Sequence, residues 1–90
     1  MPMTALTVPV QNILAAAKEY ETASKESQQL LERLEKAADG LRPGWAGANR
    51  DTFFQHHKEW QALMRGQVAV LISLSLELQA LASRFERADG

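Results

Sequence analysis

The chain has 90 residues, of which 46% are hydrophobic and 23% charged, and about half are Ala, Glu, Lys, Leu or Arg. This is the size of one small domain and the composition of long helices, too apolar for a disordered chain. A net charge of −1, with the Lys and Arg residues spread along the chain, argues against a nucleic-acid partner. The absence of cysteine excludes disulfides, thiolate catalysis and Cys-ligated zinc.

The first ten residues contain two prolines and neither Lys nor Arg, so they lack the basic start of a Sec signal peptide. From Val10 to Asp39 there is no proline or glycine, and from Ala48 to Asp89 there is only Gly66. These breaks predict a single all-α domain over 1–90: helix 1 at about 9–39, a turn at about 40–47 and helix 2 at about 48–87. Pro9 fits the first helical turn, with Thr7 or Val8 before it at the cap.

Helix 1 carries a heptad stripe of Ile13, Ala17, Tyr20, Ser24, Ser27, Leu31, Leu34, Ala38 and Leu41. Helix 2 repeats it with Phe53, His57, Trp60, Met64, Gln67, Leu71, Leu74, Leu78, Leu81 and Phe85. A period-two run, Val68, Val70, Ile72, Leu74, Leu76 and Leu78, imitates a strand. Helix is preferred, because no second strand exists to satisfy its hydrogen bonds and the heptad continues through it. Val68, Ile72 and Leu76 then imply a helix covered on two sides, and Gly66–Gln67 marks a candidate kink or frayed point.

A stripe this wide exceeds what one neighbouring helix covers. The expectation is a helical hairpin that dimerises into a four-helix bundle through Ile13, Tyr20, Leu31, Leu34, Phe53, Trp60, Leu71, Leu74, Leu78 and Leu81. The competing expectation is a monomer that uses the whole stripe internally. The most apolar window, 66–83, contains Gln67, Ser73, Ser75, Glu77, Gln79 and Ser83, a polar load that argues against a transmembrane segment.

Catalytic residues are not expected: no phosphate loop and no Ser/His/acid set is present. His56 and His57 point about 100° apart on a helix, and His56 with Glu59 gives only two ligands, so no metal or cofactor is expected. The turn holds a tryptophan, unusual where Gly, Pro, Asn, Asp and Ser dominate. The structural role open to Trp45 is to cap the hairpin core, with Gly47 permitting close backbone approach.

Trp45-Ala46-Gly47 in the middle of the chain, between two heptad helices, resembles the Trp-x-Gly (WXG) family of small, early-secreted-antigen-like helical hairpins. Phe53, eight residues after Trp45, and the run Ala16, Ala17, Tyr20 behind Pro9 are also similar. The resemblance implies export by a bacterial type VII (ESX) secretion system without a cleavable signal peptide. It also implies pairing with itself or a related chain, and an encounter with the secretion ATPase. In that family a C-terminal Tyr-x-x-x-Asp/Glu serves as export signal. Phe85 and Asp89 occupy its place here, with phenylalanine where tyrosine is expected. The resemblance therefore implies a turn motif of Trp45 and Gly47 and a tail signal of Phe85 and Asp89. An intracellular structural or adaptor hairpin is the alternative; a metal-dependent helical enzyme is the most distant one.

Overall fold

The computed structural model describes residues 9–89. It is an antiparallel hairpin of two helices, α1 (Val10–Asp39) and α2 (Ala48–Asp89), joined through a single 3₁₀ turn at Arg42–Gly44. α1 starts one residue later than the proline rule suggests. Pro9 has φ −58° but an extended ψ of 135°, so it is the cap residue and not part of the first turn. Its carbonyl accepts the N–H groups of Asn12 at 3.0 Å and Ile13 at 3.3 Å. Thr7 and Val8, expected at the cap, lie outside the described residues.

At the far end α1 tightens rather than reversing. Gly40 stays right-handed, its N–H donates to the Lys36 carbonyl, and the Leu41 N–H donates to Ala38. Pro43, which has no N–H to give, sits in the 3₁₀ turn that follows. α2 then runs for 42 residues, about 63 Å at 1.5 Å per residue. It stays helical through Gly66 and Gln67, so that pair does not fray it. Being longer than the 30-residue α1, α2 carries Phe85 and its last turn past the start of its partner helix.

The two helices meet along small residues. Ile13, Ala17, Ser24, Leu31 and Ala38 of α1 and Ser75 and Ala82 of α2 are buried. The Ser75 hydroxyl donates to the Ala17 carbonyl at 2.8 Å, and the Gln79 amide donates to that hydroxyl at 3.1 Å. Nearer the turn, Glu35 Oε2 accepts from Gln61 Nε2 at 2.7 Å and Arg65 Nη2 at 2.6 Å. These two sets of cross-helix bonds lie at well-separated points along the antiparallel pair.

The expected seam divides in two. Ile13 and Leu31 are buried, and Trp60, Leu71, Leu78 and Leu81 are half-buried. Tyr20, Leu34, Phe53 and Leu74 remain exposed. On α2 the positions turned toward α1 are Gln61, Val68, Ser75 and Ala82, each one residue beyond Trp60, Gln67, Leu74 and Leu81. That offset of about 100° rotates the latter set onto a flank. Val68 is half-buried, but Ile72 and Leu76 are exposed, so within one chain α2 is covered on one side only.

One hairpin therefore leaves much of its apolar surface uncovered. Its radius of gyration is 20.3 Å, with extents of 68 × 19 × 16 Å, against about 12 Å for a compact domain of this length. Leu31 is the one large side chain among the described residues that is almost fully enclosed. The polar load of window 66–83 argued against a membrane span. By length and composition alone, however, residues 48–87 include a window apolar enough to cross a bilayer, with a mean hydropathy of 1.5 and only 17% of it buried.

Candidate functional site

The turn is built around one glycine. Gly47 has φ +106°, a conformation that L side chains rarely adopt, and its carbonyl starts α2 by accepting the N–H groups of Arg50 at 3.1 Å and Asp51 at 3.3 Å. A Cβ placed on Gly47 would meet nothing within 4 Å. The glycine is thus required by backbone sign, and not by the close approach expected from sequence. Two residues earlier Trp45 is extended, and its N–H closes the 3₁₀ turn on the Arg42 carbonyl at 3.4 Å.

Extended backbone at Trp45 lays the indole on the first turns of α2. Its ring lies 5.4 Å from Phe53 and 6.1 Å from Phe54 between centroids, distances at which tilted aromatic pairs attract. The ladder continues up α2: His57 stacks on Phe53 at 5.9 Å and on Trp60 at 5.5 Å. Phe54 carries the guanidinium of Arg42 at 4.0 Å, with Arg50 at 5.3 Å. Arg42 is held there by Asp39, whose Oδ1 accepts from Nε at 3.1 Å. The heptad placed His57 on the apolar stripe, but nothing in the sequence spacing announced the Arg42–Phe54 contact.

The ladder opens onto the uncovered flank. At the turn end, Leu34, Leu41, Phe53, His57 and Trp60 line one shallow groove. At the opposite end, Tyr20, Leu74, Leu78 and Leu81 line another, together with Glu77 and Arg84. The reverse flank is mixed: Ile72 and Leu76 of α2 face Glu21 and Lys25 of α1. Phe85 is exposed near the end of α2, and Asp89 is that helix's last residue. Trp45 and Phe85 thus stand at opposite ends of one hairpin. Among the described residues no three His, Asp or Glu side chains converge as metal ligands.

Fold and turn together define a Trp-x-Gly helical hairpin. The chain belongs to the WXG100 family, proteins of 100 residues with WXG, which it matches over residues 6–90. No curated protein matches it. Among solved structures it is similar to the secreted protein EsxB of Bacillus anthracis str. Sterne, at 24% identity and TM-score 0.87, covering 93% of this chain and 96% of that one. A point mutant of the same protein gives 25% identity and TM-score 0.86, covering 90% of this chain and 91% of that one. EsxA of Geobacillus thermodenitrificans is similar at 22% identity and TM-score 0.81, covering 91% of this chain and 90% of that one.

Proposed function

We propose that this protein is an exported protein-interaction module, a substrate or co-substrate of a bacterial type VII (ESX) secretion system, working as a dimer. The observation that carries the reading is the Trp45–Gly47 turn at the tip of a hairpin that matches the WXG100 family almost end to end. The open apolar flank is the pairing surface, and closing two flanks on each other makes a four-helix bundle. The partner is itself or a related Trp-x-Gly chain.

Pairing tip to base brings Trp45 of one chain near Phe85 and Asp89 of the other. That composite end is what the secretion ATPase engages, with the Phe85 ring in place of the usual tyrosine. No catalytic chemistry, metal or cofactor enters this role. The protein is made in the cytoplasm and leaves without a cleavable signal peptide. In its host it accumulates in culture supernatant only when the secretion ATPase is intact, measured beside a cytoplasmic lysis marker. Equal amounts outside an ATPase-null strain, without lysis, sink the reading.

A further inference from the structure

Beyond Ala38 the hairpin has no core to hold its tip. Ala38 is the last buried residue before the turn, and Ser75 is the next one after it. Trp45 is nonetheless half-buried, so its place is set by contacts within the tip and not by packing between the helices. Those contacts run to two rings on α2. Phe53 and Phe54 are neighbours in sequence and point about 100° apart on the helix, and the indole reaches both.

The two rings are held in different ways. Phe53 belongs to the stacked ladder that runs through His57 to Trp60. Phe54 stands perpendicular to Phe53 at 5.1 Å and to His57 at 6.4 Å, and no ring among the described residues stacks on its face. The Arg42 guanidinium lies over that ring at 4.0 Å. Arg50 is farther from it, at 5.3 Å, and is paired with Asp51 at 3.5 Å.

Arg42 bears on Trp45 by two routes. Its carbonyl accepts the Trp45 N–H at 3.4 Å, and its side chain holds the ring on which the indole leans. We infer that Arg42 is the positioning residue of the tip: with Asp39 and Phe54 it sets the direction in which Trp45 is presented. The inference rests on the proposed role only in taking Trp45 as part of what the export machine engages. The task calls for a guanidinium, whose planar fork can donate Nε–H to Asp39 and lie over a ring at the same time; a lysine ammonium is a point charge without that plane. The brace is solvated, with side-chain exposures of 47% for Arg42 and 68% for Asp39. It therefore adds little to folding, which separates the placing of Trp45 from stability.

The test uses the full chain. Trp45 and Trp60 are its two tryptophans, so a proton–nitrogen spectrum shows two indole N–H signals, assigned with Trp45→Phe and Trp60→Phe. In Arg42→Lys the Trp45 signal is expected to move while the Trp60 signal stays, with helicity kept and the thermal midpoint within about 5 °C of the parent. Asp39→Ala, which leaves Arg42 present but unheld, moves the signal in the same direction, and Arg50→Lys moves it less. In the host, Arg42→Lys lowers the amount in culture supernatant several-fold against a lysis marker. Phe54→Leu does the same, and the two substitutions together do no more than either alone, as expected for residues acting through one contact.

A Trp45 signal that stays in place in Arg42→Lys overturns the inference, as does export at the parent's level despite a moved signal. Loss of export with a larger fall in thermal midpoint and movement of both indole signals overturns it too, because the role is then structural. A parent that leaves an ATPase-null strain in equal amounts sinks the export reading alone. The Trp45 signal then still decides whether Arg42 places the indole.

Discussion

At the residue scale the turn depends on Gly47 more than on any neighbouring glycine. Gly47 alone among the described residues has a positive φ, and holding a non-glycine residue in such a conformation costs of order 1–3 kcal/mol. Gly44 also has nothing within 4 Å of an added Cβ, but its backbone is ordinary. Gly47→Ala is therefore expected to lower stability by about 1 kcal/mol or more, while Gly44→Ala stays within about 0.5 kcal/mol of the parent. Chemical denaturation of the two variants side by side checks this; equal losses would mean that the turn constrains both glycines alike. The triplet Trp45-Ala46-Gly47 was legible in the sequence as a turn. The reason for its glycine was not, because the sign of φ is set by the path from the 3₁₀ turn into α2, and no residue pattern encodes that path. The contact of Arg42 with Phe54 was hidden for the same reason, since the two residues lie on opposite sides of the turn.

At the scale of the helices, period and punctuation located both rods, but not their rotation. A heptad pattern defines a stripe; it does not say which edge of a wide stripe the first neighbour takes. Here the choice falls to small residues. Ala17, Ser75 and Ala82 are each at most 3% exposed, and the backbones come near enough for the Ser75 hydroxyl to reach the Ala17 carbonyl. Leu74, one residue away, is thereby turned out onto the flank. Ser75→Leu adds bulk where there is no room and is expected to cost about 1–3 kcal/mol, read as a lower urea midpoint with unchanged slope. Glu35→Ala tests the second clamp. Its partner Arg65 is well exposed at 60%, so the ion pair contributes little and a loss of about 1 kcal/mol or less is expected. A Ser75→Leu loss smaller than the Glu35→Ala loss would mean that the polar clamps, and not the close approach, set the rotation.

At the scale of the whole molecule the hairpin has too little core to stand well alone. The buried hydrophobic residues are Ile13, Leu31 and three alanines, whereas Tyr20, Leu34, Phe53, Leu74 and Phe85 are all exposed on the flank or near the tail. The same shortage explains why the apolar window of α2 can look membrane-like: within one chain only 17% of it is buried. The width of the heptad stripe predicted a partner surface, but the division of the stripe between hairpin and flank is visible only in the fold.

If the flank is covered by association, stability depends on protein concentration. The thermal midpoint is expected to rise with each tenfold increase in concentration. Leu74→Glu, on the flank, should lower the midpoint and abolish that rise. Leu76→Glu, on the reverse flank at 58% exposure, should leave the concentration dependence in place. The two substitutions introduce the same charge two residues apart on one helix. A difference between them therefore reports which side of α2 is covered, independently of helix propensity or net charge. A midpoint that ignores concentration in the parent chain would mean that the hairpin is stable with its flank open, and the apolar stripe would then have to be explained by a partner met only during export.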